Sequence, residues 1–206
     1  MHSMAQSAIS PVGVRDTRAD RRLLTAHRIT ACAQGLALEH GLDGFTMDDL
    51  AEAAGVSRRT LFNYFPGKDD AVLGGPPQLD DRLMETFSAG GPSGNLVDDI
   101  AEIVVTVLRE SPDTPADVAR GREVMTANPR LIAVAHQRLQ ECVESAMVHI
   151  ETREGASFSR PRIDVAIALV LACCHLAVDR YLTGDTDADL ADLFLESLGT
   201  ARQLLD

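Results

Sequence analysis

Aromatic residues are scarce in this sequence of 206 residues, which has no tryptophan, two tyrosines and six phenylalanines. A cavity for a flat aromatic molecule usually offers rings for stacking, so this scarcity argues against that class of ligand. The four cysteines (Cys32, Cys142, Cys173 and Cys174) follow no disulfide or zinc-site spacing. On a helix, Cys173, Cys174 and His175 would point about 100° apart and could not share one metal ion. We therefore expect reduced thiols and no metal.

Long apolar runs are also missing. The longest, residues 165–178, is bounded by Asp164 and Asp179 and falls short of the roughly 20 residues that a membrane span requires. The first fourteen residues contain no Lys or Arg and no continuous apolar stretch, unlike a signal or transit peptide. We expect a cytoplasmic protein without a membrane segment, in which residues 1–16 form a disordered tail.

Catalytic motifs are a third absence. The sequence shows no glycine-rich phosphate loop, no paired carboxylates on a shared helical face and no Ser/His/Asp arrangement. We predict that the protein is not an enzyme and has no cofactor. A helical enzyme is kept as the last of three functional alternatives.

An excess of positive charge is found in only one part of the chain, whose net charge is -12. Residues 15–68 hold eight basic and seven acidic residues, whereas residues 69–206 hold eleven basic and twenty-four acidic residues. Only the N-terminal quarter could therefore approach a polyanion. Its start is the most basic part, although such a cluster is also typical of a solvated helix end. The arginines of this cluster are Arg15, Arg18, Arg21, Arg22 and Arg28.

What the sequence does contain is helical periodicity almost throughout. Apolar or small residues recur at spacings of three and four over residues 29–37, as one face of a helix requires. Two strongly apolar helices are predicted near the end, over residues 163–182 and 187–205. The predicted fold class is all-α, with a three-helix helix-turn-helix domain over residues 17–66 and a larger helical domain over residues 67–206.

The helix-turn-helix prediction rests on two helix starts that follow each other closely. Thr46 is a good N-cap for one short helix, and Ser57 is a good N-cap for the next. Gly55 stands between them, where a positive φ allows a tight turn. Leu61 and Phe65, four residues apart, are expected to face the core. Helices joined so closely must cross steeply, which is the geometry of a helix-turn-helix.

The second of these helices presents groups that can recognise DNA in the major groove. Arg58 and Arg59 can donate two hydrogen bonds to a guanine edge or bind phosphates. Thr60 can contact a thymine methyl group, and Tyr64 can donate its hydroxyl to a phosphate. Asn63 is expected on the outer surface of the same helix. A plain surface helix could carry the same arginines, but the caps, the turn and the upstream basic cluster together favour a recognition helix.

The stretch GLDGFTMDDLAEAAGVSRRTLFNYFPGKDDAV, residues 41–72, resembles the DNA-binding segment of the TetR-like transcriptional repressors. With the first helix, the resemblance covers about a quarter of the chain. Arg59 stands where many members have glycine, which implies a different reading of bases. Ala37 stands where many have phenylalanine, a space that Phe45 is expected to fill. The positions that the resemblance implies to touch DNA are Thr46, Ser57, Arg58, Arg59, Thr60, Tyr64 and Lys68.

The resemblance also implies a homodimer in which the two C-terminal helices form a four-helix bundle with their copies. The helix over residues 163–182 is apolar nearly all round, which favours contact on two sides. The same two helices could instead complete the core of a monomer. The residues predicted for the dimer interface, or for the core just beneath it, are Ile167, Val170, Leu171, Cys174, Leu190, Phe194 and Leu198.

A small-molecule pocket in the larger domain is the last implication of the resemblance. Apolar residues are abundant over residues 96–154 and stacking partners are scarce, so we expect an aliphatic or acyl-type effector. A fully packed core without any effector is the alternative. The residues predicted to line the pocket are Arg122, Met125, His136, Met147 and His149.

Two functional interpretations are therefore ranked ahead of a helical enzyme. The first is a ligand-responsive repressor that binds a palindromic double-stranded DNA operator and releases it when the effector binds. The second is a helical sensor or interaction protein with weak or lost DNA binding, an idea that the overall acidity favours.

Overall fold

A computed structural model describes residues 18–76, 79–155, 159–184 and 188–205. These residues form ten α-helices and no β-strand, which confirms the predicted all-α class. The predicted tail, residues 1–16, lies outside the described residues. The helices are α1 (Arg18–His40), α2 (Met47–Ala53), α3 (Arg58–Tyr64), α4 (Lys68–Leu73), α5 (Asp81–Ser88), α6 (Leu96–Glu110), α7 (Pro115–Ala127), α8 (Pro129–Glu154), α9 (Arg160–Thr183) and α10 (Leu190–Leu205).

Side-chain caps fix several of these helix starts. Thr46 caps α2 and Ser57 caps α3, and each side chain accepts a hydrogen bond from the third backbone N–H of its helix. Asn95 caps α6 in the same way, with N–H···O distances of 3.0 and 3.2 Å. Between α2 and α3, Gly55 adopts a φ of 63°, a conformation that costs glycine little. The predicted caps and the turn between these helices are therefore present.

One apolar cluster joins the first four helices. Phe45 is buried in the same cluster as Ala37, in agreement with the expected filling of that space. The cluster also includes Val124 of α7 and Leu131 of α8, so its packing extends beyond the predicted boundary at residue 66. The remaining buried members are Ile29, Ala33, Leu42, Leu50, Ala51, Ala54, Leu61, Phe65, Ala71 and Val72.

The later helices divide their buried apolar residues between two further clusters. One lies among α6, α9 and α10 and includes Val105, Phe194 and Leu198. The other lies among α5, α6, α8 and α9 and includes Phe87 and Ile150. Helix α5 was not predicted; it spans only eight residues, Asp81–Ser88.

A buried ion pair accompanies the second of these clusters. Arg153 of α8 donates a hydrogen bond of 2.6 Å to Asp99 of α6, and the two side chains are 2% and 1% exposed. Asp99 also accepts hydrogen bonds from the backbone N–H groups of Ser93 and Gly94. Although burial by itself raises the pKa of Asp99, the hydrogen bonds from Ser93 and Arg153 bring that pKa below its ordinary value. The charges are paired and hydrogen-bonded, as burial requires.

Helix α9 has one buried face and one exposed face. The buried face follows a spacing of three and four, as expected for a helix packed on one side. Its members are Ile163, Ala166, Val170, Cys173 and Ala177. Four small or apolar residues, Val165, Ala168, Ala172 and Leu176, are exposed on the opposite side and are called here the α9 stripe. In the protomer, the helix is therefore covered on one of the two sides that its composition suggested.

By length and composition alone, α9 could also cross a membrane. It has 24 residues, and the mean hydropathy of an 18-residue stretch within it reaches 1.8. The apolar run of residues 165–178, which was expected to be too short for a membrane span, lies within a longer helix that begins at Arg160 and ends at Thr183. Length and composition do not separate a membrane span from a core helix, and α6, α7, α8 and α10 all contact α9.

Candidate nucleic-acid interface

The buried side of α3 determines which of its residues face outward. Leu61 and Phe65 are buried in the N-terminal cluster. Since successive residues of a helix turn by about 100°, Arg59 and Asn63 lie opposite that buried side. Both residues are exposed. The outermost groups of α3 are therefore a guanidinium and a side-chain amide, which can both hydrogen-bond to base edges.

One flank of α3 faces the start of α2. Arg58 donates from one nitrogen to both carboxylate oxygens of Asp48, at 2.5 and 2.7 Å. The guanidinium carbon of Arg58 also lies over the Phe62 ring, 5.5 Å from the ring centroid, within cation–π distance. Phe62 and Asp48 were not predicted as site residues. The available signal in the sequence was an aromatic residue of α3, Phe62, that lies outside the buried spacing of Leu61 and Phe65.

The other flank of α3 faces α1. The hydroxyl oxygens of Thr60 and Ser57 are 2.7 Å apart, so both groups are engaged in the helix cap. The guanidinium carbon of Arg22, from the basic start of α1, lies 5.1 Å from the centroid of the Tyr64 ring. The basic cluster and the recognition helix are thus adjacent, as the sequence suggested, and Tyr64 connects them.

Thr46 and Lys68 have structural partners within the chain. The Thr46 hydroxyl donates to Asp49 at 2.8 Å, and the two residues form a capping box at the start of α2. The backbone and hydroxyl of Thr46 lower the pKa of the Asp49 carboxyl group. Lys68, the chain's single lysine, donates to the carbonyl oxygens of Leu42 and Phe45 at 2.5 and 2.8 Å. Its ammonium therefore holds the α1–α2 loop against α4 and retains one further N–H.

Ion pairs connect these helices to the larger part of the protein. Arg130 of α8 pairs with Asp69 of α4 at 2.7 Å. Arg138, further along α8, pairs with Asp70 of α4 and donates to the carbonyl oxygen of Gly74 at 2.7 Å. Helix α4 is thus attached to α8 at two points, and it also packs against α1.

The five residues predicted to line an effector pocket do not form one site. Arg122 is exposed and pairs with Asp179 near the end of α9, at 2.6 Å. Met147 is buried against a cluster that includes Ala166, nearer the start of α9. At a rise of about 1.5 Å per residue, Ala166 and Asp179 are about 20 Å apart along the helix. A single small-molecule effector is too short to contact both Arg122 and Met147 across this distance.

The other three predicted pocket residues are also separated. His136 is exposed on α8, whereas His149 is half-buried with its Nδ1 atom 3.4 Å from the hydroxyl of Ser88. Met125 is half-buried on α7. An open depression of about 540 Å³ lies between α7 and the end of α9, and Arg122 is the predicted residue that lines it. The periodicity of α7 and α8 could not show which of their faces would meet.

Some of the predicted interface residues are buried beneath the protomer surface, and others are wholly or partly exposed on it. Phe194, Leu198 and Val170 are buried within the protomer, so they form the core beneath a surface and not the surface itself. Leu171 is exposed, while Ile167, Cys174 and Leu190 are half-buried. Burial, together with the neighbouring Cys173, raises the pKa of Cys174 to about 11. The exposed α9 stripe was missed because an all-round apolar helix does not indicate which side remains open.

Residues 29–73 match the family model described as bacterial regulatory proteins of the TetR family. MftR of Mycobacterium tuberculosis, named for mycofactocin biosynthesis, is 45% identical over 49 residues, which are 24% of this chain and 25% of MftR. The regulator EthR of the same species is 39% identical over 74 residues, 34% of this chain and 32% of EthR. EthR of Mycolicibacterium smegmatis is 27% identical over 154 residues, 69% of this chain and 68% of that protein.

A solved structure described as a TetR-family transcriptional regulator from Mesorhizobium loti aligns with 92% of this chain and 98% of its own, at 19% identity and a TM-score of 0.38. The alignments with the two M. tuberculosis regulators span about a quarter to a third of those proteins. The class defined by the capped α2–turn–α3 unit is that of helix-turn-helix DNA-binding proteins. Within that class, residues 29–73 carry the DNA-binding segment of the TetR family of bacterial regulatory proteins.

Proposed function

We propose that the protein is a repressor that binds a palindromic operator as a homodimer and releases it when a small molecule binds. The observation that carries the proposal is α3, which buries Leu61 and Phe65 and turns Arg59 and Asn63 outward. In the dimer, the two α3 helices would lie about 34 to 36 Å apart, or a multiple of that distance, to enter successive major grooves. We place DNA binding in residues 17–66, effector binding and dimerisation in residues 67–206, and the protein in the cytoplasm.

The DNA proposal is tested by a mobility-shift assay with the DNA that flanks the protein's own gene. A scrambled duplex of the same length and composition is the matched control. The flanking duplex should bind more tightly, and log affinity should fall linearly with log salt as phosphate contacts replace counterions. Equal affinity for both duplexes at every salt concentration would contradict a sequence-specific repressor and favour the sensor interpretation.

The dimer proposal is supported by the α9 stripe, whose Val165 and Leu176 are 68% and 53% exposed. Leu171 and Leu195 are exposed on α9 and α10, the helices proposed to pack on a second copy. Burial of such a surface is the main force in protein association. A second copy that covers this side would also give α9 contact on both of its faces.

Sedimentation velocity of the wild-type protein and the variant Leu176→Glu tests the dimer proposal. The wild type should sediment as a dimer, whereas the variant should dissociate because the partner would bury an unpaired carboxylate. Gln203→Glu on α10, at an exposed position, adds the same charge and should leave the dimer intact. A monomeric wild type would contradict the proposal, and a wild type that requires detergent would favour α9 as a membrane segment.

The proposed effector is aliphatic or acyl-type, since residues 96–154 contain no phenylalanine, tyrosine or tryptophan. The aromatic residues Phe87 and Phe194 of the larger part are buried. A flat aromatic ligand would find few stacking partners along α6, α7 and α8. The test is a thermal-shift and operator-release titration with fatty acyl compounds beside planar aromatic drugs. Release by the aromatic compounds alone would refute the proposed ligand class.

A further inference from the structure

We propose that Asp48, Arg58 and Phe62 together select a thymine in the operator, because Asp48 holds Arg58 back from guanine and leaves the Phe62 ring to receive the thymine methyl group. This inference rests on the proposed DNA-binding function and names the base that one flank of α3 reads. It follows from three observations: the exposure of Phe62, the position of Arg58 over its ring, and the carboxylate that fixes that position.

Phe62 is the apolar member of the outer surface of α3. Its side chain is 43% exposed, although large aromatic residues are usually buried. It has no hydroxyl group and so cannot donate to a phosphate or to a base. In the major groove, the 5-methyl group of thymine is the apolar feature that such a ring can contact. The chemistry of Phe62 therefore fits thymine better than the other three bases.

Arg58 is positioned to support this contact and not to replace it. Its guanidinium lies over the Phe62 ring, and one of its nitrogens donates to both oxygens of Asp48. A guanine edge is recognised by two guanidinium N–H groups that point together at O6 and N7. While Asp48 holds one of these nitrogens, the fork of Arg58 cannot turn both of its N–H groups to one base edge. Arg59, one residue further on, forms no ion pair within the described part of the chain and is the cation that remains for base edges.

The hold on Arg58 can be removed without damage to the fold. Arg58 and Asp48 are 63% and 61% exposed, and exposed ion pairs contribute little to stability. Asp48 takes no part in the capping box of α2, which Thr46 and Asp49 form. The substitution Asp48→Asn therefore keeps the size of the side chain and the start of α2 while it frees Arg58.

The experiment uses the full-length protein and a duplex that it selects from a random-sequence library. Each thymine of the duplex is replaced in turn by deoxyuridine, which lacks only the methyl group. At one position per half-site, wild-type affinity should fall about fourfold, the change that corresponds to burial of one methyl group. The variant Phe62→Ala should bind the thymine and deoxyuridine duplexes equally at that position. Equal deoxyuridine effects in both proteins at every position would overturn the role of Phe62.

The role of Asp48 is tested with the same duplex carrying guanine in place of that thymine. Asp48→Asn should raise the preference for guanine over thymine at this position, because the freed Arg58 can reach O6 and N7. Glu52→Gln removes the same charge from an exposed position of the same helix and should leave that preference unchanged. Identical preferences in the two variants would overturn the role of Asp48.

The outcomes also separate this inference from the function on which it rests. If the library yields no preferred duplex, the repressor proposal and the inference fail together. If a preferred duplex is found but its thymines respond alike in the wild type and Phe62→Ala, the inference alone fails. Thermal unfolding of each variant confirms that the compared proteins are folded.

Discussion

The four N-terminal helices and the six that follow bury their apolar residues in different ways. Helices α1 to α4 share one cluster in which Ile29, Leu50 and Leu61 are completely buried. Among the later helices, α5, α6, α8, α9 and α10 divide their buried residues between two further clusters, while α7 adds Val124 to the N-terminal cluster. Helix α9 leaves the stripe from Val165 to Leu176 exposed. The N-terminal part is complete within the protomer, whereas the later part presents an apolar surface that a partner can cover.

The two parts also differ in how they relate to known proteins. The family match covers residues 29–73, almost the whole of the single-cluster part. Its buried positions and its recognition helix come from one short segment, so a local pattern is enough to define them. The later part joins it through Val124, Leu131 and the ion pairs of α8 with α4.

The largest expected effect is the removal of the buried carboxylate in the later part. Asp99→Ala leaves the buried Arg153 with Glu154 as its remaining carboxylate partner and removes the acceptor of two backbone N–H groups, so it should reduce the free energy of unfolding by about 3–5 kcal/mol. Asp98→Ala is the matched control, because Asp98 pairs with Arg202 at the surface, where such a pair is worth about 0–1 kcal/mol. Urea unfolding followed by circular dichroism measures both. Equal losses for the two variants would contradict the difference between a buried and an exposed pair.

A cavity in the N-terminal cluster should have a comparable but slightly smaller effect. Leu61→Ala removes a completely buried side chain from α3 and should reduce the free energy of unfolding by about 2.7–5 kcal/mol. Leu24→Ala, at an exposed position of α1, should change it by less than about 0.5 kcal/mol. Urea unfolding at one fixed protein concentration gives both values. A small loss for Leu61→Ala would mean that the single cluster is less tightly packed than its burial indicates.

An intermediate effect is expected at Lys68, which joins the α1–α2 loop to α4. Lys68→Met keeps the aliphatic chain but loses two hydrogen bonds to backbone carbonyl oxygens, so it should reduce the free energy of unfolding by about 1–3 kcal/mol. Arg59→Met, which removes the same charge from an exposed position, should be nearly neutral for folding. The slope of log affinity against log salt should fall by about one per subunit for Lys68→Met. An unchanged slope would assign Lys68 to the fold alone.

Acid should weaken the later part through Asp99. Its pKa is lowered in the folded protein from an ordinary value of 3.8, so the unfolded chain binds the proton more tightly. The stability that Asp99 contributes is therefore complete above about pH 5 and is lost as the pH falls through 3.8 and below. Urea unfolding between pH 7 and pH 3 should show a steeper loss for the wild type than for Asp99→Asn. Parallel pH profiles would contradict the lowered pKa.

The smallest expected effect concerns the thiols and leaves stability unchanged. Cys142 is exposed on α8, whereas Cys173 is buried and burial raises the pKa of Cys174 to about 11. Because the thiolate is the reactive form, Cys174 should react slowly at neutral pH. A disulfide reagent should therefore modify Cys142 first, and Cys142→Ser should remove the fast phase. A fast phase that persists in this variant would contradict this order of reactivity.

Much of the N-terminal part could be predicted because its signals are local. Thr46, Gly55 and Ser57 act within a few residues of their own positions, through caps and a positive φ, so the α2–turn–α3 geometry could be inferred directly. The spacing of Leu61 and Phe65 likewise fixed the buried side of α3.

Contacts between distant segments could not be predicted in this way. The sequence placed Arg58 on α3, but only the steep crossing of α2 and α3 brought it to Asp48, ten positions away. Lys68 was predicted from the resemblance as a DNA contact, and tertiary packing also gave it the carbonyl groups of Leu42 and Phe45. The separation of Arg122 from Met147 likewise depends on how α7 and α8 lie along α9.

The sequence by itself determined the all-α class, the helix-turn-helix and the residues that α3 turns outward, because periodicity, caps and turns act over a few residues. The tertiary structure decided which apolar side of α9 is buried, which arginines are held by carboxylates and which predicted residues share a site. These depend on the angles at which helices pack, which are set by many side chains far apart in the chain.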